Sequence, residues 1–166
     1  MSMFSVNPHR RDPYKNFKFK VKWDGQYIPA ISWVGALNRT TETIEHRDGG
    51  EPNALRRSPG LTVFDPVVIE RGLSHDTAFE DWANLVFNMS GDAGMSLQNY
   101  RKDIVIELYN MQGSIVMAWF VRRCWVSEYQ PISELNANGT AIVFERIVLQ
   151  HEGWERDKDI NEPKEF

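Results

Sequence analysis

The sequence predicts a mainly β domain, an antiparallel sandwich or barrel flanked by one α-helix. Three features carry that prediction. Runs of alternating apolar and polar residues lie near the start of the chain, two apolar runs join across a short Gly-containing turn, and a single stretch has helical apolar spacing.

The elements follow in order. Residues 1–12 are polar, end at Asp12 before Pro13, and read as a flexible arm ahead of a domain spanning 13–155. "YKNFKFKVKW" alternates, with Phe17, Phe19, Val21 and Trp23 on one face and Lys18, Lys20 and Lys22 on the other, which is the period of a strand. Asp24-Gly25 is a hairpin turn signal before a short strand at Tyr27-Ile28, and Pro29 suits an edge. "AISWVGAL" and the β-branched "TTETIEHR" read as further strands. A long polar loop at 47–60 follows, and "LTVFDPVVIERG" returns as a strand broken near Asp65-Pro66, because proline removes a ladder donor.

One helix is expected over about 75–89. Ser74, Asp76 and Thr77 are candidate N-caps, Glu80 and Asp81 sit where negative charge favours the dipole, and Phe79, Trp82, Leu85 and Val86 make an apolar stripe. Gly91 and Gly94 end it. "DIVIELYN" pairs with "SIVMAWFVRRCWV" across "NMQG"; the second run is apolar on both faces, as strands covered on both sides are. "YQPISELNANGT" is a loop, "AIVFERIVLQHEGW" a final strand, and 156–166 a charged, mobile tail.

Bulk properties bound the function. The chain has 166 residues, is 42% hydrophobic and 25% charged, and carries a formal net charge of −4. It is the size of one ordinary domain, and its acidic balance argues against a protein that coats nucleic acid. No apolar run approaches the roughly 18 residues that span a bilayer, and no apolar segment follows the basic residues near the N-terminus, so no secretory signal is expected. The single Cys124 excludes an intramolecular disulfide framework and makes the cytoplasm the default folding compartment. The sequons at Asn38, Asn88 and Asn138 are then chance matches.

No catalytic, cofactor or metal constellation emerges, and the expectation is a protein that is not an enzyme. His9, His46, His75 and His151 have no mutual ligand spacing, and "HEGWE" places Glu155 where a helical metal motif needs a second His. Cys124 lies inside an apolar strand and reads as a buried, inert thiol; a nucleophile needs a base and partial exposure. "GDAG" at 91–94 lacks the Lys and Ser/Thr of a phosphate loop. Asp24, Asp48, Asp65, Asp76 and Asp103 occupy turns, caps or strand flanks. The Arg56-Arg57 and Arg122-Arg123 doublets fit solvated or paired positions as well as phosphate contacts. Lys18, Lys20 and Lys22 are either a solvent face or a face toward a partner or lumen. The tryptophans read as core first and interface second.

The order of "DPYKNFKFKVKWDG", "TETIEHRDGGEPNALRRSPGLTVFDPVVIERG", "FEDWANLVF", "IVIELYNMQGSIVMAWFVRRCWV" and "ERIVLQHEGWE" resembles the tail-tube proteins of contractile phages and phage-tail-like contractile injection systems. The resemblance runs from about Asp12 to Glu155; Cys124 is no part of the family pattern. It implies a β-barrel or sandwich that assembles into hexameric rings with a β-lined channel, stacked into a hollow tube that a contracting sheath propels through a target envelope. Implied partners are copies of itself, a sheath protein, baseplate, spike and tube-terminating proteins, and a toxin or DNA cargo in the lumen. Neither stable membrane binding nor specific nucleic-acid binding is implied. Assembly would occur in the bacterial cytoplasm, with release or anchoring of the particle afterwards. Arg47, Asp48, Gly49, Gly50, Glu51, Pro52, Asn53, Arg56 and Arg57 would contact a neighbouring subunit and set the stacking register. Gly49 and Gly50 would permit a tight backbone path there. The face of Lys18, Lys20 and Lys22 and the face of Glu107 and Tyr109 are both candidates for a lumen or partner face. The alternatives are a tube-initiator ring at the baseplate and, in a different class, a monomeric β-sandwich that binds a ligand through exposed tryptophans. A hydrolase using Cys124 or a His–acid pair is a third hypothesis.

Overall fold

The computed structural model describes residues 3–50 and 53–166. Ten strands and one helix follow in chain order: β1 Phe19–Trp23, β2 Gln26–Tyr27, β3 Ile31–Val34, β4 Arg39–His46, β5 Arg56–Phe64, β6 Val67–Gly72, α1 Ala78–Asn84, β7 Lys102–Tyr109, β8 Ile115–Gln130, β9 Phe144–Gln150 and β10 Trp154–Arg156. Every pairing is antiparallel. The body has the order β2-β1-β7-β8-β9-β6-β3 with β10 also on β8, while β4 and β5 form a separate two-stranded ribbon.

The two halves of the body share β8. Its first part, Ile115 to Cys124, pairs with β7, and its second, Trp125 to Gln130, pairs with β9. Between them the chain bulges. Lys102 pairs with Cys124 and Ile104 with Val121, so two steps on β7 face three on β8. Arg123 takes up the extra residue at φ 53°. The skipped residue, Asp103, accepts the Arg123 N–H at 2.8 Å and Arg122 Nη1 at 3.1 Å. The bulge resets the side-chain phase, so that Val121, Cys124 and Val126 are all buried in one core.

That core joins Val21, Trp23 and Ile104 to Val67, Ile69, Ile147 and Leu149, under a lid formed by Phe79 and Trp82 of α1. Trp82 stacks 4.9 Å from the Trp23 ring and donates Nε1–H to the Tyr100 carbonyl at 2.8 Å. α1 is shorter than its apolar stripe suggests. Asp76 spends its carboxylate on the Ala78 N–H, and the helix gives way to i→i−3 bonds at Leu85 and Val86, a tighter turn that does not propagate. One ion pair is fully inside. Arg71 is 0% exposed, bonded to Glu145 and to Asp76 at 2.8 Å, with its guanidinium 4.3 Å over the Phe79 ring. The Ala78 N–H, and then Arg71, hold the Asp76 carboxyl below the usual range.

Four sequence expectations change here. Of the apolar face of β1, only Val21 and Trp23 are core; Phe17 is 57% exposed, because this end of the face has no cover from the same chain. The final strand is two strands, interrupted at 151–153. The long loop 47–60 shortens to 47–55, since the ribbon ladder continues to His46 opposite Arg56 and an Arg57–Glu45 ion pair of 3.2 Å crosses it.

The fourth concerns the ends. In place of a free arm and a free tail, the two termini pack on each other. Glu162 accepts the backbone N–H groups of Ser5, Val6 and Asn7 at 2.8–3.0 Å. Asn7 is 1% exposed and bonds Glu162, Pro163 and Glu165. Arg10 pairs with Glu165 at 2.5 Å and lies over the Tyr14 ring. Together these segments border Val116 on the second face of β8, which explains why that strand is apolar on both sides.

Two outcomes are expected. Phe79→Ala or Trp82→Ala should lower stability by about 3–5 kcal/mol in chemical denaturation, the usual cost of deleting a buried aromatic. For Glu162, burial raises the carboxyl pKa, but the hydrogen bonds from Val6, Asn7 and Ser5 outweigh it and hold the value below 4.5. A depressed pKa means that the latch is fully formed above about pH 4.5 and is lost as pH falls through the lower folded value. The amide NMR signals of Ser5, Val6 and Asn7 should therefore move on acidification, and Glu162→Gln should abolish that dependence.

Candidate assembly surface

Three surface features of the fold can receive a partner: a projecting ribbon, unpaired sheet edges and an open apolar groove. The ribbon comes first. Every residue of β4 is exposed, and on β5 Leu61 is 75% and Val63 60% exposed. An isolated two-stranded ribbon is marginal in water, so its root must be held. Asn38 Nδ2 donates to Asp65 Oδ2 at 2.6 Å, and the Asp65 N–H returns to the Asn38 carbonyl at 3.0 Å. His151 Nε2 lies 2.8 Å from the Asp65 carbonyl oxygen, which can only accept, so Nε2 carries the proton. Nδ1 is then free to accept the Gly153 N–H at 3.2 Å. Phe64 packs its ring 5.2 Å from Trp154 and 5.7 Å from His151. Gly153 has φ 131°, and a Cβ there would come within 3.1 Å of the Phe64 ring. The "DP" and "HEGW" segments therefore anchor the ribbon to the body.

The stacking residues expected from sequence cluster at the far end of this ribbon. Arg47, Asp48, Gly49, Gly50 and Asn53 lie beyond the ladder, and Arg56 and Arg57 are the first residues of β5. Glu51 and Pro52 lie outside the described residues. Gly49 and Gly50 do not adopt a left-handed φ, and a Cβ on either meets nothing within 4 Å among the described residues.

The outer edges of β2, β3 and β10 have no strand partner among the described residues. β2 and β3 are consecutive in the chain yet end opposite sides of the strand order, joined through Ala30 at φ 62°. The sheet face beside β2 holds the polar candidates. Glu107, 5% exposed, accepts the Tyr27 hydroxyl at 2.9 Å and the Tyr109 hydroxyl at 2.5 Å, and pairs with Lys22 at 3.4 Å. Lys20 sits about 5 Å from the Tyr27 and Tyr109 ring centres. Burial, and then the Glu107 carboxylate, push the Tyr109 phenol pKa upward. Lys18 stands apart, donating to the Met111 carbonyl at 2.8 Å. Lys20, Lys22, Glu107 and Tyr109 are thus one cluster, joined by Tyr27, which sequence reasoning left out because it reaches Glu107 across the intervening β1.

The groove was not foreseen. It is about 720 Å³ and is lined by Phe17, Phe19, Trp33, Leu108, Trp119 and Trp154 with their neighbours. It continues the apolar face of β1 and β7 past the point where the core ends. Trp33 is 48% exposed in it. Cys124 is elsewhere, fully buried, and burial pushes its thiol up to about 12. Among the described residues no group of three His, Cys, Asp or Glu could hold a metal ion, and no helix is long and apolar enough to cross a membrane.

Comparison with solved structures places this fold among tube-like proteins. A chain of the anti-feeding prophage baseplate, from a six-fold symmetrised cryo-EM structure, aligns with TM-score 0.73 at 18% identity, covering 89% of this chain and 97% of that one. A chain of the extended sheath-tube complex of the extracellular contractile injection system PVC aligns with TM-score 0.72 at 24% identity, covering 87% and 91%. Hcp1 from Flavobacterium johnsoniae aligns with TM-score 0.50 at 13% identity, covering 83% and 93%. Comparison with curated proteins gives no match. The model of the T4-like virus tail tube protein gp19 matches residues 15–155, nearly the whole domain. The chain belongs to the T4-like virus tail tube protein gp19 family.

Proposed function

We infer that this chain is a structural subunit of the inner tube of a contractile injection particle or phage tail. Copies close into hexameric rings by pairing their free sheet edges, and the rings stack through the tips of the β4–β5 ribbons. The observation that carries this reading is the ribbon itself: a long β-hairpin, anchored at its root and exposed along its length, on a body whose sheet ends unpaired. Such edges are a liability in a monomer and are removed when identical subunits close a ring. Arg47, Asp48, Arg56 and Arg57 set the stacking register by polar contacts with the next ring, together with Glu51. Lys20, Lys22 and Glu107 belong to a face turned to the lumen or a partner. Sheath, baseplate, spike and terminator proteins are the expected neighbours, with a toxin or DNA as cargo and assembly in the bacterial cytoplasm.

A tube-initiator ring is the nearest alternative, and copy number in the purified particle separates the two, since an initiator forms a single ring. A monomeric ligand-binding sandwich has no support from the family.

The test is to replace residues 47–55 with an Asn-Gly turn between His46 and Arg56. No described residue of the loop belongs to the core, so the subunit should keep its circular dichroism spectrum and melt within a few degrees of the original. Stacked tubes should disappear in negative-stain microscopy. Intact tubes from this variant would rule out stacking through the ribbon tip.

A further inference from the structure

The "HEGW" segment holds the ribbon root through a histidine that can make its present contacts in only one charge state. The Asp65 carbonyl oxygen can only accept, so His151 Nε2 presents a proton to it at 2.8 Å. The Gly153 N–H can only donate, so Nδ1 must offer it a lone pair at 3.2 Å. Both contacts coexist only in the neutral imidazole. An imidazolium carries N–H groups on both nitrogens, and its Nδ1–H would meet the Gly153 N–H head on.

One contact must then yield, and the surroundings decide which. Gly153 is held from the body. Its carbonyl accepts the Arg122 N–H at 2.9 Å, and the Glu152 N–H donates to the Arg122 carbonyl at 3.0 Å. The Glu152 carboxylate is fixed by Arg101 at 2.9 Å and Arg123 at 2.8 Å. The Asp65 side is the foot of a ribbon with no described residue in the core, so it is the part free to move. The neighbouring charges act in the same sense. The Asp65 carboxylate, bonded to Asn38 at 2.6 Å, attracts an imidazolium and draws the ring off the backbone carbonyl. Glu152 is matched by its two arginines, and Arg122 is occupied by Asp103 and Glu155. Phe64 and Trp154, packed against the ring, bring no charge.

We propose that His151 is a pH-sensitive hinge: neutral, it fixes the β4–β5 ribbon to the body, and protonated, it lets the ribbon swing. The hinge stands on the single subunit; its effect on stacking rests on the tube-subunit reading. Imidazole side chains change charge between about pH 5 and 8, so the device works above the acid range in which the Glu162 latch is lost. An acid shift therefore loosens the ribbon while the core and the paired termini stay intact.

The test places nitroxides at Thr43→Cys on the ribbon and Glu128→Cys on the body, both exposed positions; Cys124 is fully buried and stays unlabelled. Pulsed electron resonance on labelled subunits diluted with unlabelled ones reads the ribbon-to-body distance distribution. Nitrogen NMR of the unlabelled protein follows the His151 ring and the Gly153 amide. At about pH 7.5 the ring should be the Nε2–H tautomer and the distribution narrow; toward about pH 5 it should broaden about twofold or more, with the midpoint of His151 protonation. His151→Gln keeps an N–H for the Asp65 carbonyl and has no proton to gain, so its distribution should not change over that range. An unchanged wild-type distribution, a broadening with a different midpoint, or the same pH dependence in His151→Gln would each overturn the hinge. Tubes assembled with the sheath should come apart over the same range, and those of His151→Gln should persist. Wild-type tubes that persist would overturn the link to stacking and leave the hinge. Protein that forms neither rings nor tubes with its sheath would overturn the tube reading, while the distance measurement still decides the hinge.

Discussion

The bulge at Arg122–Arg123 is the constraint from which the rest of the geometry follows. Without it, Val121 and Cys124 would point to opposite faces of β8, and the strand could not serve one core with both of its halves. With it, the Arg122 N–H and C=O turn to Gly153 and Glu152, bridging the gap between β9 and β10. That gap is where His151, Gly153 and Trp154 gather against Phe64 and Asp65. The direction of the ribbon is thus set by a distortion in a strand on which it does not pair. Arg122 adds Glu155 and Asp103 as partners across the bulge, and their hydrogen bonds raise its pKa above the ordinary guanidinium value. Both carboxylates are about half exposed, so their role is geometric more than energetic.

How much of this was legible in the sequence depends on the range of the interaction. Alternation placed β1, β7 and β8, and the Asp65-Pro66 break is real, because these are set by side-chain period and by the missing proline donor within a few residues. The helix centre was legible through Phe79 and Trp82, but its ends were not: Asp76 bonds the Ala78 N–H and, at the same time, Arg71 on a strand five residues away. The packing of the termini was illegible because a glutamate in a charged tail looks solvated until Ser5, Val6 and Asn7 present three N–H groups to it. The ribbon ladder at Arg56 and Arg57 was hidden by polar composition, since a strand that buries nothing within its own chain has no apolar signal. The groove was hidden for the opposite reason. Phe17, Phe19, Trp33 and Trp154 have the pattern of core residues, and nothing in a sequence distinguishes a core position filled by the chain from one left for another molecule.

Glu107 shows how the same limit applies to charge. On sequence it is one acid on a strand facing lysines. In the fold it is buried, with two phenol donors and one ammonium, so the carboxylate is stabilised by hydrogen bonds more than by the single ion pair. Lys20 remains above the tyrosine rings with no carboxylate partner in the cluster, and Lys18 is bound to a neutral carbonyl. The face therefore keeps positive charge while its one acid is sequestered. If this face lines a channel, repetition around a ring multiplies that charge at short spacing, and the tyrosines give the lysines a cation–π alternative to mutual repulsion.

The unfinished surfaces can be read together in the same physical terms. A backbone edge, an apolar groove and a ribbon are each unfavourable when left in water, and they differ in how a single chain can tolerate them. Edge strands β2 and β10 are short, two and three residues, which limits the number of unpaired groups they offer to a wrong partner. The ribbon is mostly polar, and its exposed apolar residues run from Leu55 and Ile44 near the tip to Leu61 and Val63 near the root. The groove is lined by side chains of β3, β7, β8 and β10, Trp33, Leu108, Trp119 and Trp154 among them. Short edges and a mostly polar ribbon limit how much of this surface a wrong partner can use.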